Sequence, residues 1–198
     1  MQKFETILNN FNIILASASR RRKDLLAALD INFTLTEVLD VDETYPAELK
    51  PDEIACFLAE KKSNIYNLVD EKDILITADT VVVCNNRIIG KPENYENAVE
   101  MLKFLSGKTH SVITGVCLRS ISKKRNFNSV TEVSFCELSD EEIEYYIKNY
   151  KPFDKAGAYG IQEWIGHIAV KEIKGSYFNV VGLPIQKLYR ELLKFVNS

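Results

Sequence analysis

Ile13-Ile14-Leu15-Ala16-Ser17-Ala18-Ser19-Arg20-Arg21-Arg22-Lys23 is the stretch on which the fold turns. Its first four residues are apolar and unbroken, which is how a strand covered on both faces reads, and Leu25, Leu26 and Leu29 follow at near-helical spacing. A buried strand that runs through a short polar loop into a helix opens an α/β unit. The reading recurs at Ile74-Leu75-Ile76-Thr77-Ala78, a second buried strand. Pro51-Asp52-Glu53 starts a helix with proline and acids in its first turn and Ile54, Phe57, Leu58 and Ile65 expected inward. A third helix fits Asn94 to Ser106, with Ala98, Met101, Leu102 and Leu105 inward and Gly107 ending it. Ser139-Asp140-Glu141-Glu142 forms a capping box for a fourth, and a fifth follows Pro184. Further strand-like runs lie at His110 to Leu118, Val130 to Phe135, Ile168 to Val170 and Phe178 to Val181. The sum is an α/β domain with a central sheet.

A chain of 198 residues with 46% hydrophobic content can bury one substantial core. Its 25 basic and 28 acidic residues leave a net charge of -3, which argues against a general nucleic-acid surface while leaving room for a local basic site. Cys56, Cys84, Cys117 and Cys136 are too scattered for a zinc or redox motif and read as buried thiols in a reducing compartment. His110 and His167 have no partner at ligand spacing. Met1 to Asn12 holds no apolar signal core and no run is long enough to span a membrane, so the expected location is the cytoplasm.

Three segments carry chemistry. Ser17 to Lys23 sits between a buried strand and a helix, where free N–H groups and the dipole favour an anion, and its arginines add forked donors suited to phosphate. Asp79, in Ala78-Asp79-Thr80, interrupts the apolar run from Ile74 to Val83. An ionised carboxylate there requires a cation, and the candidates are Lys61, Lys91 in Gly90-Lys91-Pro92, or a metal shared with Glu43 or Asp42. The third is Asp154-Lys155-Ala156-Gly157-Ala158-Tyr159-Gly160-Ile161-Gln162, in which small residues permit close backbone approach while Gln162 offers an amide. Taken singly each has a plain alternative: a solvated helix start, a turn acid, an ordinary connection.

Together the segments resemble the Maf family of nucleotide pyrophosphatases: Leu15-Ala16-Ser17-Ala18-Ser19-x-Arg21-Arg22, Ala78-Asp79-Thr80, Gly90-Lys91-Pro92, Leu105-Ser106-Gly107-x-x-His110-x-Val112-x-Thr114-Gly115-Val116, Asp154 to Gln162, and Val181-Gly182-Leu183-Pro184, in that order. The resemblance implies a single domain over 1–198, similar in fold to inosine-triphosphate pyrophosphatases. It also implies an extended mixed central sheet flanked by helices, two lobes around a nucleotide cleft, and a homodimer. The implied reaction is attack of water on the α-phosphorus of a nucleoside triphosphate, releasing pyrophosphate, with a divalent cation, Mg or Mn. By position, Asp79 looks like the catalytic residue, with Glu43 and Asp79 as metal carboxylates, and Ser17, Arg21, Arg22, Lys61 and Lys91 as phosphate contacts. Thr80 and Gln162 resemble the dTTP and UTP branch, which makes Arg21, Thr80 and Gln162 the specificity positions. Arg20 stands where many relatives have proline. Trp164 suits either stacking on a base or filling the core. The competing readings are a non-hydrolytic nucleotide sensor linked to cell division and a nucleotidyltransferase that passes the nucleotide to an acceptor other than water.

Overall fold

The computed structural model describes residues 8–197. The first seven residues, which open the Met1 to Asn12 stretch read above, lie outside the described residues. Strand β1 (Asn12–Leu15) leads into helix α1 (Arg20–Ala27), followed by β2 (Thr34–Leu35) and α2 (Pro51–Asn64). Next come β3 (Asp73–Cys84), β4 (Arg87–Ile89) and α3 (Tyr95–Leu105), then the long strands β5 (Thr109–Arg119) and β6 (Lys124–Phe135). The chain closes with α4 (Asp140–Tyr150), a 3₁₀ turn (Ala156–Ala158), α5 (Trp164–Ala169), β7 (Val170–Lys174), α6 (Tyr177–Val181) and α7 (Ile185–Val196).

The seven strands form one mixed sheet in the order β2-β1-β3-β5-β6-β7, with β4 also on β3. β1 runs parallel to β2 and to β3, in a register that sets Leu15 beside Ile76, while β4 and β7 pair antiparallel with β3 and β6. The chain divides into two compact units, the first holding residues up to Asp79, Thr114–Ser129 and Gly182 onward, the second Thr80–Ile113 and Val130–Val181.

The helix signals act through identifiable bonds. Ser139 Oγ accepts the Glu142 N–H at 3.2 Å and the Glu142 carboxylate accepts the Ser139 N–H at 2.8 Å, so two donors at the start of α4 are satisfied reciprocally. Asn94 caps α3, and Gly107 takes the left-handed conformation (φ 69°) just beyond it. In α7, Ile185, Leu188, Leu192 and Phe195 make a buried stripe at helical spacing.

Three readings change. Phe178 to Val181 is helix, not strand: Ser176 Oγ accepts the Asn179 N–H, and the buried Asn179 amide donates to the Val112 carbonyl and to Thr131 Oγ1. A four-residue segment with three apolar residues carries too little period to separate the two, and the cap three residues upstream of Asn179 decides. Ile168 and Ala169 close α5, so that strand begins only at Val170. In α2 the buried residues are Ile54, Ala55, Leu58, Ala59 and Ser63; Phe57 is half-buried, and Ile65, just past the helix end, is exposed.

The small residues of that face permit close packing in the first unit. A Cβ on Gly115 of β5 would fall 2.2 Å from the Ala55 carbonyl carbon and 2.4 Å from the Cys56 nitrogen, both main chain of α2. The Thr77 hydroxyl donates to the Ala59 carbonyl at 2.6 Å. Gly115→Ala should therefore lower stability by about 1–3 kcal/mol or more, read from the denaturant midpoint; an unchanged midpoint would contradict this packing.

Candidate active site

The first unit gathers a cationic loop and two carboxylates. The Ser19 side chain caps α1 by accepting the Arg22 N–H, and Ser17 Oγ accepts the Ser19 N–H, so the two hydroxyls brace the loop from within. The first turn of α1 contains no acid, leaving its dipole uncompensated there. Arg20 is exposed and reaches Asp24 at 3.9 Å, a pair of little energetic consequence. Arg21 is half-buried. Arg22 folds back: its Nε donates to the Gly182 carbonyl at 2.8 Å and its Nη1 to the Ala78 carbonyl at 2.7 Å, tying the loop to the residue before Asp79. Burial draws the guanidinium pKa below its usual range, the Asp79 carboxylate opposes that shift, Arg21 adds to it, and Glu43 opposes it.

Asp79 is only 8% exposed and lies inside the continuous strand β3, not in a turn. Its ion-pair partner is Lys62, whose Nζ stands 2.5 Å from Asp79 Oδ1 and 2.7 Å from Glu43 Oε1. One ammonium between two carboxylates offsets the cost of burying Asp79 and fixes Glu43 beside it. Lys61 turns aside, to the Thr44 carbonyl at 3.0 Å and Asp42 at 3.3 Å. Asp42 also accepts from the N–H and hydroxyl of its neighbour Thr44, and those bonds, the hydroxyl first, lower its carboxyl pKa. The two adjacent lysines thus hold the same short loop, one from the solvent side and one at the carboxylates. Beyond the helix, Arg119 donates to Ser63 Oγ and to the carbonyls of Ser63 and Tyr66, satisfying chain-end acceptors next to Lys62.

Lys62 escaped the sequence reading because neighbouring helical residues point about 100° apart and either lysine looks solvated. A signal was present: Ala55 and Ala59, the small residues on the closely packed face, continue at helical spacing to position 62.

The second unit holds Thr80, Lys91 and Gln162. Thr80 follows Asp79 on β3 and is half-buried, whereas Lys91 and Gln162 are exposed. The Gly157 N–H donates to the Gly90 carbonyl at 3.0 Å, joining the Gly90-Lys91 turn to the loop that ends at Gln162. Gly157 (φ 72°) and Ala158 (φ 56°) are both left-handed, a conformation that costs little at glycine and is strained at alanine. Trp164 is half-buried, edge to face with Tyr145 at 4.9 Å.

The Maf profile, described as Maf-like protein, matches residues 12–195. The chain belongs to the Maf family. A Phocaeicola vulgatus protein named dTTP/UTP pyrophosphatase is 54% identical over 188 residues, covering 94% of this chain and 97% of that protein. Proteins of the same name from Bacteroides thetaiotaomicron and Flavobacterium johnsoniae are each 50% identical, over 94% and 96% of this chain and 97% of their own. The Ham1 protein of Staphylococcus aureus aligns over 93% of this chain and 99% of its own with TM-score 0.51 and 15% identity, a likeness of fold alone. Among the described residues no helix is long and apolar enough to cross a membrane, and no three His, Cys, Asp or Glu residues gather as a metal cluster.

The motif histidine of this Maf chain is an anchor for the glycine loop. His110 is buried, its Nε2 lies 2.8 Å from the Tyr159 hydroxyl, and Phe135 packs edge-on to both rings. Burial brings its pKa down to about 4 from an ordinary 6.5. Between those two pH values the unfolded chain binds a proton that the folded chain refuses, so stability is lost as pH falls through the window, by about 3 kcal/mol in all. Denaturant titrations from pH 7 to 4 should show that loss reduced in His110→Gln; identical slopes for the two proteins would refute a neutral buried imidazole.

Proposed function

We infer that this chain hydrolyses dTTP and UTP to the nucleoside monophosphate and pyrophosphate. The observation that carries the reading is the pair of carboxylates, Asp79 and Glu43, gathered by Lys62 next to the Arg22 loop, in a chain half identical to dTTP/UTP pyrophosphatases over nearly its whole length. In this reading Ser17, Arg21, Arg22 and Lys91 meet the phosphates, and fixed cations lower the barrier as charge builds on the leaving pyrophosphate. Asp79 takes the proton of the attacking water as its oxygen closes on the α-phosphorus, while Lys62 holds Asp79 and Glu43 at a constant separation. Lys61 serves the fold of the 42–44 loop more than the phosphates, because its ammonium is already directed at Asp42 and Thr44.

The two carboxylates suit a divalent metal. Both meet at the Lys62 ammonium, and two neighbouring carboxylates completed by triphosphate oxygens and water match the oxygen shell of magnesium, with manganese as the alternative. Held by Asp79 and Glu43 beside that ammonium, such an ion would neutralise phosphate charge and make the water more acidic. Arg21, Thr80 and Gln162 select the base, the Gln162 amide meeting the carbonyl and imide edge that thymine and uracil share. The family likeness further supports a single-domain enzyme over 1–198, acting as a cytoplasmic homodimer.

A nucleotide panel with Mg²⁺ or Mn²⁺ tests the reading: pyrophosphate should be the first product, with dTTP and UTP ahead of CTP. Orthophosphate as first product overturns the cleavage position, binding without turnover favours the sensor, and nucleotide appearing on an added alcohol or sugar favours the transferase. Asp79→Asn should lose about two to four orders of magnitude in kcat. Lys62→Met should cost about 10²-fold while Lys61→Met stays within about threefold, measured as kcat/KM for dTTP. Equal losses from the two lysine variants would remove the special place given to Lys62.

A further inference from the structure

Gln162 lies in a turn of the second unit that the chain clamps with side chains outside the proposed reaction. The Glu163 N–H donates to the Gly160 carbonyl at 2.9 Å, which places Gln162 inside a four-residue turn. The Gly160 N–H donates to the Tyr146 hydroxyl at 3.0 Å, and that hydroxyl donates to Glu163 Oε2. The circuit Gly160–Tyr146–Glu163–Gly160 is therefore closed. Lys155 adds a charge from the other side, its Nζ 3.1 Å from Glu163 Oε1 and 2.6 Å from Asp154.

This clamp is buried and tight. Tyr146 is fully buried and Lys155 is 8% exposed, although both carry polar ends. A Cβ on Gly160 would lie 2.8 Å from the Glu163 carboxyl carbon and 3.0 Å from Lys155 Cε, so glycine is what lets the carboxylate sit over the turn. A Cβ on Gly166 would fall 1.9 Å from the Ile161 carbonyl oxygen, and Ile161 itself is buried. Burial and the neighbouring Glu163 carboxylate push the Tyr146 phenol pKa upward, so it remains a donor. Gln162 thus stands between a buried Ile161 and a bonded Glu163, while Gln162 itself is exposed.

An exposed amide is a poor discriminator unless its backbone is held. It carries a donor and an acceptor on one end and can meet either pyrimidine edge, so what it selects depends on where it stands. We propose that Glu163, Tyr146 and Lys155 are positioning residues for base selection: their closed network holds the 160–163 turn and with it Gln162, which sets the preference among pyrimidine triphosphates. The proposal rests on the reading that Gln162 reads the base.

The test measures kcat and KM for dTTP and dCTP by pyrophosphate release in the wild type, Gln162→Ala, Glu163→Gln and Tyr146→Phe, with thermal midpoints alongside. Glu163→Gln can still accept from Tyr146 but loses the ion pair to Lys155, so it probes the clamp even if Tyr146→Phe fails to fold. The dTTP over dCTP ratio of kcat/KM should fall about tenfold in all three variants, through a raised KM for dTTP, with kcat on dTTP within about twofold of wild type in Glu163→Gln and Tyr146→Phe. A ratio that falls in Gln162→Ala but holds in Glu163→Gln, and in Tyr146→Phe if it folds, overturns the positioning role and leaves the base reading intact. Equal losses on both nucleotides, with a lower thermal midpoint and an unchanged ratio, mark a structural role and overturn it too. An unchanged ratio in Gln162→Ala overturns the base reading and the positioning role with it.

Discussion

A carboxylate buried in the interior of a strand is the constraint around which the first unit is arranged. Asp79 has apolar neighbours along β3, and leaving it ionised without a partner would cost several kcal/mol. The compensating cation comes from a helix, so the helix has to lie against the sheet with its lysine at the right height. Ala55 and Ala59 on one side and Gly115 on the other allow that approach, the Thr77 hydroxyl sets the level by bonding the Ala59 carbonyl, and Arg119 secures the helix end beside Lys62. Glu43 comes from an exposed loop. It reaches the same ammonium because Lys61, one residue earlier, anchors Asp42 and Thr44.

The arginine loop shows a complementary economy. Basic residues at a helix start oppose the macrodipole, and α1 begins with three of them and no acid. Folding back Arg22 relieves part of that conflict by giving two of its donors main-chain acceptors at Ala78 and Gly182. The remainder of the conflict is what an anionic ligand would relieve, so local instability and the proposed affinity for phosphate would have one origin.

Much of this was legible in the sequence wherever a signal is local. The apolar run Ile13 to Ala16, the box at Ser139 to Glu142 and the terminating Gly107 each act through bonds spanning a few residues, and each element appears where its signal stands. Phe178 to Val181 reads as strand because three apolar residues in four fit a strand as well as a helical turn, and the Asn179 amide finds its acceptors at Val112 and Thr131, contacts far off in sequence. The site divides along the same line. Asp79 stands out in the sequence as a charge in an apolar run, yet its partner depends on the rotation of α2, which sets Lys62 and not Lys61 against the carboxylate. Tyr146 and Glu163 gave no sign because neither residue type is unusual in its setting; only the turn between Gly160 and Glu163 brings them together.

β3 carries the proposed catalytic carboxylate and a proposed specificity residue in succession, and side chains alternate faces along a strand, so a slip of one residue would exchange the surroundings of Asp79 and Thr80. The pairings of β3 prevent it. Its register with β1 ends at Ile76 and its register with β4 begins at Val82, so each side of the Asp79-Thr80 step is pinned separately. Between those pairings the main chain still needs partners, and the Ala78 carbonyl receives one from the Arg22 guanidinium. The proposed phosphate loop is thereby fastened to the strand one residue before the proposed acid, and a displacement of Arg22 would disturb both. In that reading phosphate binding and proton transfer depend on one backbone carbonyl, which ties Arg22 to the proposed site through its protein contacts as well as through the phosphates.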